Sequence, residues 1–208
     1  MLFRSQVTGE SSDNNTIQNN RIGVSADGTT NLGIGGDGVF ITDGADGTAV
    51  LDNHIASTGI VGVEIDANTT AIISTTVQGN IIGTDATGVL NWGSGENGIL
   101  IEGNADANII GGITAGQGNI IAFSGQSSSI FNAGILVESG NTANTIRGNS
   151  IYSNDGIGID LSGTTSADGR TANDAVDADV GGNNLQNWPV LNSVSIADDG
   201  TMSYTIDT

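Results

Sequence analysis

The sequence predicts an all-β fold, a parallel β-helix solenoid of about five to six coils with a C-terminal cap and hairpin. Three observations carry this. A strand unit recurs as GVFIT from Gly38, GVEID from Gly62, GILIE from Gly98, GILVE from Gly134 and GIGID from Gly156, at spacings of 24, 36, 36 and 22 residues. A second unit, N-x-I or a close variant, recurs as NNTIQNNRI, LDNHI, VQGNII, GNII and NTIRGNSI. Residues 22–41 and 82–101 share nine identities in twenty at an offset of 60. Long helices are excluded because glycine, 33 residues of 208, recurs every few positions among β-branched residues. A β-sandwich would not place like residues at coil-length intervals.

The elements follow in order. Residues 1–13 read as an N-terminal arm, polar apart from Met1, Leu2, Phe3 and Val7. Residues 14–161 read as coils of roughly 22 to 24 residues, each holding three short strands, stacked in parallel about 4.8 Å apart. The 36-residue intervals are one coil carrying a loop of about 12 residues. Strand alternation sends Val39/Ile41, Val63/Ile65, Ile99/Ile101, Ile135/Val137 and Ile157/Ile159 to one side, as two aliphatic columns inside the coil. Asn20, Asn53, Asn80, Asn119 and Asn149 stand at turns, where asparagine tolerates left-handed backbone and can form amide ladders between coils. Residues 162–191 read as an acidic loop and a cap, with Leu185, Trp188, Val190 and Leu191 covering the last coil's open edge. Residues 192–208 alternate on both sides of Asp199-Gly200 and read as a β-hairpin, cut inside a strand at Thr208. Both ends look like cuts from a longer protein, and an uncovered coil edge predicts end-to-end homo-oligomers.

The phrases GNIIGTDATG, ENGILIEG, NTIRGNSI and NDGIGIDL resemble those of bacterial right-handed parallel β-helix repeat proteins of the cell surface. VDADVGGNNLQNWPVL resembles the segment that closes such arrays. The resemblance runs from about Asn14 to Leu191 and implies the fold and an extracellular or cell-surface location. It carries little about function, because the same helix serves lyases, hydrolases, adhesins and passive stalks.

Composition narrows the partners. The formal net charge is −19, and the only four cations are Arg4, Arg21, Arg147 and Arg170. No basic patch can neutralise phosphates, so nucleic acid is excluded, and anionic membranes equally. No apolar run is long enough for membrane insertion, and the start has no signal-peptide core. Zero cysteines remove disulfides, thiolate zinc sites and thiol catalysis together.

Chemistry is expected on one column. The fourth residue after each repeat glycine reads Thr42, Asp66, Glu102, Glu138 and Asp160. Stacked carboxyls repel and raise one another's pKa. Such a row can stay solvated, bind a cation, or act as paired catalytic carboxyls at the separations glycoside hydrolysis uses. The catalytic set, if the chain is an enzyme of polysaccharide hydrolysis or lysis, would be Asp66, Glu102, Glu138 and Asp160. Phe40, Glu64, Leu100 and Leu136 alternate outward beside this column and, with Trp92, form the candidate polysaccharide-binding set; the bland alternative is that loops 25–37 and 85–97 cover them. Asp174, Asp177, Asp179, Asn183 and Asn184 form a candidate calcium loop, lacking the closing Glu of an EF-hand. His54, the only histidine, has no serine-acid pairing and reads as a turn residue. The favoured function is an extracellular structural or adhesin-like module that binds carbohydrate or calcium, with the carbohydrate-active enzyme as its rival.

Overall fold

A computed structural model describes residues 4–174, 179–197 and 201–207. Among these residues the regular structure is all β except a short 3-10 turn at Gly182–Leu185. The chain visits three sheets in rotation. The first pass is β1 (Ser5–Thr8), β2 (Thr16–Gln18) and β3 (Arg21–Ile22), and the second is β4 (Val39–Thr42), β5 (Ala49–Leu51) and β6 (His54–Ile55). The third is β7 (Val63–Asp66), β8 (Ile72–Ile73), β9 (Thr76–Gln78) and β10 (Ile81–Ile82); the fourth is β11 (Ile99–Glu102), β12 (Ala105–Asp106), β13 (Ile109–Gly111) and β14 (Ile120–Ala122). The fifth is β15 (Ile135–Val137), β16 (Thr145–Arg147) and β17 (Ser150–Tyr152), and β18 (Ile159–Leu161) opens a sixth.

Equivalent strands lie side by side. One six-stranded sheet runs β1-β4-β7-β11-β15-β18, and two five-stranded sheets run β2-β5-β9-β13-β16 and β3-β6-β10-β14-β17, with β8 and β12 paired alone. These pairings are parallel throughout. Such stacked parallel sheets fit the β-helix that the repeats predict. The arm assigned to residues 1–13 differs: its Ser5–Thr8 segment is β1 and pairs with β4, so stacking begins earlier. At the other end, β19 (Val190–Ile196) and β20 (Met202–Asp207) form an antiparallel hairpin that starts two residues before the assigned 192–208: Val190 and Leu191, read as cap residues, pair with Asp207 and Ile206, and the Asp199-Gly200 turn lies outside the described residues.

The interior is built from columns of β-branched side chains. Val39, Ile41, Val63, Ile65, Ile99, Ile101, Ile135 and Val137 are all 0% exposed, as alternation requires. The second sheet adds Val50, Val77 and Ile110 in register, and the third adds Ile22, Ile55, Ile82 and Ile121. The repeat glycines have a packing cause. A Cβ on Gly38, Gly62, Gly98 or Gly134 would strike a γ-methyl of Ile55, Ile82, Ile121 or Ile151, and the carbonyl of the glycine one pass on.

Asparagine amides tie pass to pass. Asn20, Asn53, Asn80, Asn119 and Asn149 stack, each Oδ1 after the first accepting the backbone N–H and Nδ2–H of the asparagine before it, at 2.8–3.0 Å. Asn80 Nδ2 also donates to Val50 O at 2.8 Å. A second ladder joins Asn108, Asn144 and Asn183. In the first ladder the left-handed backbone falls one residue before the asparagine, at Asn19, Asp52, Gly79 and Gly148, while its five asparagines avoid it; in the second ladder Asn183 adopts it.

Register corrects one sequence reading. Ile135 pairs with Ile159, Leu136 with Asp160 and Val137 with Leu161. The last repeat therefore starts at Gly158, 24 residues after Gly134, matching the Gly38 to Gly62 interval. Asp160 falls in the Phe40/Glu64/Leu100/Leu136 column, and Ser162, whose N–H bonds Val137 O at 2.9 Å, follows Glu138. A slip of two residues preserves faces, so Ile157 and Ile159 fit the interior pattern equally well in the sequence.

Two stability predictions follow. Ile101→Ala should cost about 2–5 kcal/mol, because the rigid stack cannot collapse into the gap. Leu100→Ala, expected from an outward position to be mild, should also be costly, since Leu100 is only 5% exposed; Ile113→Ala, at 81% exposed, is the neutral control. Urea melts of the three variants check the face assignment. Asn80→Ala strands buried donors and acceptors on both neighbouring passes and should cost about 2–4 kcal/mol, more than Asn20→Ala at the exposed end of the ladder.

Candidate functional site

The outward face of the six-stranded sheet gathers carboxyls from successive strands. Thr42 pairs with Asp66 and Asp66 with Glu102. Glu138 continues the column, because its N–H bonds Ile101 O at 3.0 Å. Glu64 sits two residues before Asp66 on the same face, between Phe40 and Leu100. One carboxylate oxygen each from Glu64, Asp66 and Glu102 lies within 4.8 Å of the others. Asp66, Glu102 and Glu138 thus stand in one column, and Glu64 stands beside them in the neighbouring one.

Parallel stacking explains the convergence. It repeats one side-chain position at strand spacing, so carboxyls of equal rank must be neighbours. Burial is the main cause of the resulting pKa shifts, with neighbouring charges adding to it. Glu64 is pushed up to about 9, first by burial and then by Asp37 and Glu102. Glu138 rises to about 7 through burial and then Glu102. Glu102 and Asp66 are raised by burial first; for Asp66 the Asn68 N–H, 2.7 Å from Oδ1, pulls the other way. Glu96 is also raised, by burial and then Asp37.

One cation reaches this face. Arg4 Nη1 lies 3.6 Å from Asp37 Oδ2, and its guanidinium sits 4.6 Å from the centre of the Phe40 ring. Asp37 Oδ1 accepts from Val61 N–H at 3.2 Å. Beside Asp66, the Thr42 hydroxyl is buried and has no hydrogen-bond partner.

The ligand-binding set is largely covered. Leu136 is 0% exposed and packs with Leu100, Val61 and Ala133 beneath Phe131 and Ala167. One ring face of Phe40 is taken by Arg4. Of that set, Glu64 alone joins the carboxyl cluster. Trp92 stacks on His54 at 6.1 Å between centroids, placing it against β6 of the third sheet. His54 is buried beneath it with Nε2 2.7 Å from Thr84 O, a carbonyl that can only accept, so Nε2 carries the proton. The loops hold themselves in shape. Val24 bridges Asn31 as Thr84 bridges Asn91, the same pair at an offset of 60. Asp85 accepts from Thr87, Val89 and Leu90 N–H groups and is held well below the usual carboxylate range, first by the Thr87 hydroxyl.

Asp160 does not join the column. It is 1% exposed, and its Oδ2 accepts from Gly169 N–H at 3.0 Å, anchoring the loop that follows β18. The calcium loop is also differently arranged. Asn183 Oδ1 accepts from Asn144 N–H and its Nδ2 donates to Asn144 O, so its amide is occupied by the ladder. Asp174 N–H is bonded to Asn187 Oδ1 at 3.0 Å, Asn184 is exposed on the 3-10 turn, and Asp177 lies outside the described residues. Among the described residues, the one group of acidic side chains spaced to share an ion is Glu64, Asp66 and Glu102, with Asp179 not in it. Sequence reading missed Asp37; its place one residue before the repeat glycine was the available signal.

No family model, curated protein or solved structure matches this chain. Among the described residues no helix is long and apolar enough to cross a membrane.

The shifts predict a pH dependence. A glutamate ordinarily titrates near 4.5, and folded Glu64 near 9. Between those values the folded chain keeps a proton that the unfolded chain releases, so stability falls as pH rises through the window. Thermal melts from about pH 5 to about pH 9 should show Tm declining. Glu64→Gln, neutral at every pH, should flatten the decline by removing its largest contributor. An unchanged slope in that variant would move the dependence to the diffuse charge.

Proposed function

We propose that the chain is a right-handed parallel β-helix module of an extracellular or cell-surface protein, structural or adhesin-like, whose carboxyl face takes up calcium and contacts carbohydrate. The asparagine ladder carries this reading. Five amides in unbroken register make successive passes rigid relative to one another, which suits a stalk or an extended docking surface. Right-handedness rests on the strong chirality of parallel strand connections. The location rests on the resemblance of the repeat phrases to surface proteins.

Calcium suits the face because it takes several oxygens and tolerates mixed donors. Three converging carboxyls and the unpartnered Thr42 hydroxyl supply such donors. A bound divalent ion would also offset the repulsion that raises Glu64 and Glu102, and could bridge to an acidic sugar that a −19 chain would otherwise repel.

One geometric feature favours the enzyme reading. Carboxylate oxygens of Glu64, Asp66 and Glu102 lie within 4.8 Å of one another, Glu64 is pushed up to about 9 by burial and its neighbours, and glycosidases use a raised carboxyl beside a second one as acid and base. Covered Glu138 and displaced Asp160 leave Asp66 and Glu102, with Glu64, as the set among the described residues that such chemistry would use.

Two measurements decide. Calcium should raise Tm beyond sodium chloride of equal ionic strength, through binding to the folded state, and Glu102→Gln should abolish the excess. A glycan array with a reducing-sugar assay should show retention without release. Sugar release lost in Glu102→Gln would replace the structural reading with the hydrolytic one.

A further inference from the structure

Among the described residues the stack ends on an apolar rung with no strand above it. β18 is the last strand of the six-stranded sheet. Ile159 belongs to the inner column through its pairing with Ile135, yet it is 41% exposed where Ile135 is 0%. The 3-10 turn continues only one corner of the next pass: Gly182 N–H bonds Ser162 O at 2.8 Å and Asn183 extends the second ladder. Between that turn and β18 lies a cavity of about 340 Å³, with Ile146, Ile157, Ile159, Leu161 and Leu185 along its apolar side. That volume falls within the range of small-molecule pockets.

The opposite wall is pinned. Trp188 Nε1–H donates to Thr171 O at 2.9 Å. Trp188 N–H donates to Asn173 Oδ1, and Asn173 Nδ2 donates back to Trp188 O, at 3.0 and 2.8 Å. Asp174 and Asn187 exchange the same pair of bonds at 3.0 and 2.9 Å. Arg170 also lines the cavity, its guanidinium 4.1 Å from the centre of the Trp188 ring. Among the described residues Arg4–Asp37 is the only ion pair, and no described carboxylate pairs with Arg170 where it lines the cavity. A stacked guanidinium keeps its edge donors in a planar fork that matches a carboxylate.

We infer that this cavity binds a small monocarboxylate with an apolar body, seated on Ile157, Ile159 and Leu161 with its carboxylate against Arg170. Charge complementarity selects the class. In a chain of net charge −19 an anion has few places to go, and Arg170, unpaired among the described residues, stands beside an apolar floor. A neutral apolar molecule would leave Arg170 unanswered, and a dianion would bring a second charge onto that floor.

The test uses decanoate and decanol by titration calorimetry on the whole chain. Decanoate should bind at one saturable site, about tenfold or more tighter than decanol, since a hydrogen-bonded ion pair separates them. Arg170→Gln should reduce decanoate to the decanol level and leave decanol unchanged. Ile159→Trp, which fills the cavity, should abolish both, with unchanged circular dichroism showing that the fold persists. Equal binding of the two probes, or decanoate binding indifferent to both substitutions, overturns the inference. So does an absence of decanoate binding together with a concentration-dependent dimer that Ile159→Trp disrupts, because a second copy then covers the rung.

Discussion

The asparagine amide is the interaction on which the stack depends. A strand of two or three residues makes too few ladder bonds to set its own register, and a parallel pair has no tight hairpin to do so. The amide solves this at each corner. Its oxygen accepts two bonds from the asparagine one pass before, and its nitrogen donates to the asparagine one pass after. Each corner is therefore locked at strand spacing, and every side chain downstream inherits that registration. The glycine column has the same effect from the opposite direction, since only glycine leaves room for the isoleucine methyl of the third sheet.

Translation by one pass puts like on like, and the consequences differ by side chain. Valine and isoleucine stack well because their branched shapes nest and they carry no charge. Asparagine stacks well because its amide donates on one side and accepts on the other. Carboxylates stack badly, since each repels its copy. The outward face shows how the chain accommodates this: half-buried Glu64 and buried Glu138 titrate above the ordinary glutamate value, and Arg4 neutralises Asp37 at one edge. The cost of the face depends on pH and on cations in a way the core does not, so it is the part of the molecule most able to respond to its surroundings.

The sequence revealed the interior almost completely and the surface only in part, for a physical reason. Inner positions repeat with the coil period and with strand alternation together, so eight Val/Ile residues from Val39 to Val137 and five asparagines identify themselves. Asp160 shows the limit: alternation alone permits a two-residue slip, and only pairing to Leu136 resolves it. Leu100 and Leu136 show another. Their outward direction was legible, but their burial depends on Phe131 and Ala167, contributed by loops without the repeat. Trp92 fails similarly, since its partner His54 lies in a different sheet. Periodic order is written locally; loop placement is a long-range outcome.

A periodic array also has no internal rule for stopping. Every rung needs the next to bury its apolar side and satisfy its edge. The closing segment meets these needs separately. Asn183 satisfies the ladder by mimicking the next pass, with left-handed backbone at residues 183 to 185 bringing its amide over Asn144. The hairpin strands β19 and β20 pair with each other and leave β18 as the sheet's last member. Apolar cover is the need left partly unmet, because Leu185 and Trp188 reach over Ile159 without filling the space between. Polar termination is cheap to achieve with one asparagine, whereas apolar termination requires shape complementarity that the repeat itself cannot supply. The end of such a stack is thus where a cavity is expected, and a single arginine beside it is enough to give that cavity a chemical preference.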